Sequence, residues 1–201
     1  MNDILRSAFF YDKSRKSKFT QNIAHYLYKS VLILCVLIIG NSKIALANEK
    51  VQRLYIELKQ SKTESAARVI ENRIWQNWVI GPNTEATNLL AKAMERRRAY
   101  DFAGSLEILN KVIEKTPDWA EGWNQRAFVH FLREEFDKSL EDADRAIELE
   151  PNHFGALAGK AQILMSQGRT ELGQKALRRA IKLHPFLKER ALLIEIPGQE
   201  L

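Results

Sequence analysis

The chain is 201 residues long, carries a net charge of +6 at neutral pH and contains one cysteine. A lone cysteine excludes a disulfide framework and a thiolate metal site. The positive charge is concentrated at the start: residues 1–47 hold seven bases and two acids, and the remaining 154 hold 24 bases and 23 acids, so the balance is not that of a nucleic-acid surface.

The first 47 residues read as a targeting segment. Arg6, Lys13, Arg15, Lys16, Lys18 and Lys29 precede an apolar run from Val31 to Gly40, and Ala45-Leu46-Ala47 follows. A basic region, a short apolar region and an Ala-x-Ala site form the pattern of a secretory signal peptide cleaved after Ala47. The run is shorter than the roughly 20 residues that span a bilayer. Cys35 lies within it, preceded by Leu34 rather than a small residue, and reads as apolar filler. The expected location is exported and periplasmic; the alternative is an uncleaved segment that anchors the chain in the inner membrane, facing the periplasm.

Residues 48–85 read as a helical lead-in. Leu54, Tyr55 and Leu58 share one helical face, and Ser61 with Glu64 fits a capping box. Ala67, Ile70, Ile74 and Trp78 form an apolar stripe, widened by Trp75 and Val79, that Gly81-Pro82 ends. The expected role is a cap over the open end of a repeat array, since terminal units of such arrays are atypical. The alternative turns Trp75 and Trp78 outward as a partner-binding patch.

From residue 86 the chain repeats every 34 positions. Prolines recur at 117, 151 and 185. Small residues recur as Ala93, Ala127, Ala161, as Ser105, Ser139, Gly173, and as Val112, Ala146, Ala180. Large apolar residues recur as Leu89, Trp123, Leu157 and as Ile113, Ile147, Ile181. A fixed period of this length marks a solenoid. First helices are expected at 86–98, 120–132 and 154–166, and second helices at 102–115, 136–149 and 170–183. Asp118 and Asn152 are the expected N-caps after the prolines, and Gly168 the expected break in the third pair.

Residues 120–153 resemble the tetratricopeptide repeat family at Trp123, Phe136, Ala146 and Pro151. They depart from its pattern at Arg126, Ala127, His130 and Ser139. Residues 86–119 and 154–187 follow the same frame, and 188–201 form a C-terminal capping helix or tail, helical over 186–194. The resemblance implies an all-α fold, a right-handed α-solenoid of stacked antiparallel helix pairs. It also implies a concave groove lined by the first helices, here by Leu90, Met94, Arg97, Asn124, Phe128, Phe131, Gln162 and Met165. Family members that clamp chaperone C-termini use Lys, Asn and Arg where this chain has Leu90, Met94, Gln125, Gly155 and Gly159, so that specificity is not expected.

Enzymatic chemistry has no foothold in the pattern. His130, His153 and His184 lack a second ligand at metal-binding helical spacing, and no phosphate loop or nucleophile motif occurs. No catalytic residue, metal or cofactor is expected, and Arg96-Arg97-Arg98 suits a helix C-terminus. Charge alternates between repeats: nine acids against four bases in 120–153, one acid against six bases in 154–187. The expected function is a non-enzymatic protein–protein interaction scaffold of the bacterial cell envelope, holding a partner's helix or peptide in the groove. The alternative is a self-capped structural protein whose tail, Leu192 to Ile196, fills it. No nucleic-acid partner is expected, and membrane contact only through an uncleaved N-terminal segment.

Overall fold

A computed structural model describes residues 50–194, which are helical throughout, without a strand among them. The targeting pattern and the end of the tail lie outside the described residues. A first helix, α1, covers residues 50–59. It is followed by α2 (Glu64–Trp78), α3 (Thr84–Arg98), α4 (Phe102–Lys115), α5 (Ala120–Leu132), α6 (Phe136–Leu149), α7 (Phe154–Ser166) and α8 (Thr170–Leu183). Five of the six repeat helices have the expected bounds. The sixth, α3, begins two residues early because the Asn83 side chain accepts the Ala86 N–H at 2.8 Å.

The helix starts differ from expectation in their chemistry. Thr63, not Ser61, caps α2, and the Ser61 hydroxyl donates back to the Glu57 carbonyl. Trp119 takes the N-cap position of α5, leaving Asp118 exposed. His153 takes it at α7 in place of Asn152, its Nδ1 accepting the Ala156 N–H at 3.1 Å. In the second and third repeats the N-cap position therefore falls one residue later than expected, on a side chain that faces inward.

The small columns are where the paired helices meet. Ala93, Ala127 and Ala161 are buried, as are Val112, Ala146 and Ala180. The Ser105 hydroxyl donates to the Ala93 carbonyl at 2.9 Å, and Ser139 donates to Ala127 at 2.7 Å. The third pair replaces this bond with bare contact: a Cβ on Gly173 would lie 2.9 Å from the Ala161 carbonyl and 2.6 Å from Met165 Cγ. The turn within each pair has its own column, Tyr100, Glu134 and Gly168, all at positive φ. Only the glycine adopts that conformation without steric cost.

The departures from the family pattern in the second repeat compensate one another. Arg126 donates two hydrogen bonds of 2.7 Å to the buried Asp142 carboxylate and lies 5.0 Å from the Trp123 ring centre. His130 is buried beside the same carboxylate, 3.8 Å away, and its Nδ1 lies 2.6 Å from Glu135. A bidentate charged pair thus stands where apolar packing is usual, with its hydrogen bonds satisfied as burial requires.

The lead-in hairpin does not cap the open end. Leu54, Tyr55, Leu58, Ala67, Ile74 and Trp78 pack against Phe154, Leu157, Ala158, Ala180 and Leu187, in the third pair and the turn after it. The seat is a 34-residue column of turn residues. Trp119 Nε1 donates to the Trp78 carbonyl at 3.0 Å, the His153 ring stacks on Trp78 at 3.7 Å, and Leu187 joins the same core. Trp78 Nε1 donates to the Tyr55 hydroxyl at 3.0 Å, and burial pushes that phenol's pKa up. The hairpin therefore runs as a strap along the turns between repeats. The first pair needs no cover, because α3 presents Glu85, Asn88, Lys92, Glu95 and Arg96 to solvent.

After α8 the chain makes a short 3-10 turn, Lys188–Leu192, rather than a helix over 186–194. Gln174 donates to the Leu192 carbonyl and accepts the Ile194 N–H, and Arg178 donates to the Ile194 carbonyl. The described tail thus lies on α8; Glu195 to Leu201 are outside the described residues.

Candidate functional site

The strap and the first helices enclose a groove of about 580 Å³. Its floor comes from α5 and α7, one wall from α2, and its ends from α3 and from the turn at Leu187–Glu189. Small residues on α7, Gly155, Ala158 and Gly159, keep the floor low.

Of the eight residues expected to line the groove, six do: Met94, Arg97, Asn124, Phe128, Phe131 and Gln162. Leu90 does not. It is fully buried in a core with Ala93, Leu109 and Val129. Met165 does not line it either. It packs toward α8 with Ala161, Ala176, Leu177 and Ile181, and accepts a 3.5 Å contact from Gln174 at its sulfur. The third pair closes on itself there because Gly173 lets Met165 in.

The two phenylalanines differ. Phe128 is 44% exposed although it is a large apolar residue. Phe131 is half-buried against Ala127, Ala143 and Ile163, and its ring is 5.9 Å from Phe136. Phe128 is therefore free to meet a ligand, and Phe131 is partly core.

Arg97 reaches across from α3. Its guanidinium lies 4.6 Å from the Phe128 ring centre and donates to the Gln125 side-chain carbonyl. Burial is the main effect pulling its pKa below the ordinary value. Beneath it lies a buried polar cluster. The Glu121 carboxylate accepts from Asn124 at 3.0 Å, from Gln125, and from His153 Nε2 at 2.9 Å. Because His153 Nδ1 accepts a backbone N–H, its ring proton resides on Nε2, and the bond to Glu121 is a donation. One continuous chain of contacts joins Arg97 through Gln125, Glu121 and His153 to Trp78 of the strap.

Sequence reasoning missed the strap's contribution: Arg68, Glu71, Asn72 and Trp75 all line the groove. Trp75 lies edge-on to Trp78, at 4.9 Å between ring centres, and neither forms an outward patch. Glu71 Oε2 lies 3.3 Å from Nε2 of the buried His184, which holds its carboxyl below the ordinary range. The signal for this arrangement was present in the column Trp119, His153, Leu187, whose large side chains at turns call for a covering element. No group of three His, Cys, Asp or Glu among the described residues is placed to hold a metal ion.

The tetratricopeptide repeat family models match residues 120–153 and 154–186. A TPR repeat-containing protein of Rhizobium etli is 34% identical over 142 residues, covering 68% of this chain and 67% of that protein. The chain belongs to the tetratricopeptide repeat family. A tetratricopeptide repeat protein 36 homolog of Nematostella vectensis is 40% identical over 70 residues, 35% of this chain and 38% of that one. Among solved structures, the first TPR of Spaghetti bound to an HSP90 peptide superimposes with a TM-score of 0.52 at 18% identity, covering 53% of this chain and 85% of that one. The TPR2B domain of yeast Sti1 in complex with pHsp70 superimposes with a TM-score of 0.51 at 19% identity, covering 54% and 87%. These likenesses establish the stacked helix-pair fold.

Proposed function

We propose that the chain is a non-catalytic interaction scaffold that holds a peptide of a protein partner in the groove between α2 and the first helices. The observation that carries this reading is Phe128, a large apolar side chain 44% exposed in a groove of about 580 Å³. Leaving such a side chain in water forgoes part of the roughly 1.5–3 kcal/mol that its burial returns. The groove is walled on one side by α2, which suits a peptide segment rather than a broad protein surface. The Spaghetti and Sti1 domains, whose structures are of complexes with an HSP90 peptide and pHsp70, support a peptide partner by fold.

Affinity capture with the full chain, compared with Phe128→Ser, tests the reading. The substitution should keep the melting temperature and weaken partner binding about tenfold or more. Equal capture of the same proteins by both forms counts against it.

We place this scaffold in the bacterial envelope, on the basic segment, apolar run and Ala45-Leu46-Ala47 site. N-terminal sequencing of protein recovered from cells should begin at Asn48. A cytoplasmic chain that retains Met1 overturns this placement.

A further inference from the structure

We propose that the peptide held in the groove is acidic, with a carboxylate of the partner on Arg97 and an apolar side chain beside it in the space over Gly159. This rests on the scaffold reading above and adds the partner's chemistry and the residue that admits it.

Charge complementarity is the first ground. The acids that line the groove are turned to other tasks. Glu71 faces His184 at 3.3 Å, and Glu189 faces Lys188 at 3.6 Å. Arg97 is half-buried, its charge met by an aromatic face and an amide oxygen rather than by a carboxylate among the described residues. Glu121, the acid that acts on it electrostatically, spends both oxygens on His153, Asn124 and Gln125. A partly desolvated guanidinium with donors to spare is a site for a carboxylate.

Gly159 is the second ground. It lies inside α7, where glycine is the poorest helix former apart from proline. The other groove-side and pair-contact glycines of the third repeat have a packing reason: a Cβ on Gly155 would meet Trp75 Cη2 at 3.1 Å, and one on Gly173 would meet Met165 Cγ at 2.6 Å. A Cβ on Gly159 would meet nothing within 4 Å. The molecule's own packing does not require its absence, and the space it leaves open belongs to the groove that Phe128, Gln162 and Trp75 border.

The test is selection from a random linear peptide phage library on the full chain, followed by anisotropy titration of fluorescein-labelled synthetic copies of the selected peptides. Selected peptides should share Asp or Glu next to an apolar residue. Exchanging that acid for its amide should weaken binding at least tenfold to the native chain and less than twofold to Arg97→Gln. Gly159→Ala should raise Tm by about 2 °C through helix propensity, and Gly159→Leu should weaken binding at least tenfold without unfolding the protein. Peptides that are lost on Phe128→Ser but are indifferent to the acid, to Arg97→Gln or to Gly159→Leu overturn this inference and leave the scaffold reading standing. Selection that yields no peptide sensitive to Phe128→Ser overturns both. Peptides captured only after removal of residues 195–201 identify the chain's own tail as occupant. A native dimer dissociated by Gly159→Leu identifies a second copy. Either result also overturns the inference.

Discussion

Within each helix pair the closest contacts are made by the smallest side chains, whereas the strap is seated by the largest. Ala93, Ala127 and Ala161 sit under serine or glycine on the second helix, and the arrangement translates by 34 residues. The strap is held by Trp78, Tyr55, Trp119, His153 and Phe154, in contacts that join the first described helices to the last. A solenoid of nearest-neighbour contacts has a stability close to the sum of its units. A strap that runs from Trp119 to His184 ties the second and third pairs to a segment that precedes them all, so unfolding is expected to be one event.

The largest expected effect follows from breaking that tie. Trp78→Ala removes the ring that stacks on His153, packs 4.7 Å from Phe154 and hydrogen-bonds Tyr55. Loss of a large aromatic from a core costs about 3–5 kcal/mol. Denaturant unfolding should stay a single transition with a lower midpoint. A two-step curve whose main step is unmoved shows instead that the strap is an appendage.

The repeats themselves are probed by Ala146→Leu. Ala146 is fully buried where α6 meets its neighbours, and three added carbons have no space. Overpacking of this kind costs about 1–3 kcal/mol. Unchanged melting breaks the claim that small residues set the helix spacing.

The same contrast explains what could be read from residues alone. Repeat helices, their bounds and their tight contacts follow from local periodicity, because three successive units state the same pattern. The strap's stripe, Ala67, Ile74 and Trp78, was legible as buried, but one amphipathic helix does not say which surface it covers. That depends on α3 being polar outside and on turn residues 119, 153 and 187 being large, features separated by most of the chain. The groove was partly legible for the same reason. Phe128 and Arg97 follow from the repeat frame, while Arg68, Asn72 and Trp75 depend on the strap's destination. Leu90 and Met165 were misplaced because a repeat frame gives the helix face and not how far each pair closes.

A smaller effect comes from Glu71, which joins the strap to the end of α8. Its carboxyl is held below the ordinary value of 4.5, first by His184 and against the cost of burial. A depressed carboxylate adds stability that is complete above its unfolded-state pKa and is lost as pH falls through the folded one. The contribution should therefore be full near neutrality, begin to fall at about pH 4.5 and be lost as the pH drops further. His184 is buried but the Glu71 carboxylate is partly open to solvent, which screens the pair, so about 1 kcal/mol or less is expected. Glu71→Gln should flatten the acid limb of the stability curve there. An acid limb identical to that of the native chain places the pair outside the strap's stability.

The least effect is expected in the turn column, where the repeats can be compared with one another. Gly168 has φ of 76°, and Glu134 adopts nearly the same conformation at 59° with a side chain that is exposed. The left-handed conformation costs an L-residue about 1–2 kcal/mol through the clash of Cβ with its carbonyl oxygen. Glycine escapes the clash but gives up about 0.5–1 kcal/mol of extra backbone entropy on folding. The difference leaves Glu134→Gly stabilising by about 0.5 kcal/mol, a rise in Tm of about 1–2 °C for a domain of this size. Tyr100, at φ of 61°, is the less clean test, because its ring meets Phe102 at 6.1 Å and that contact is lost with the side chain. A lower Tm for Glu134→Gly shows that the glutamate makes an interaction worth more than the strain, and that the second repeat departs from the third at this turn for a reason other than tolerance.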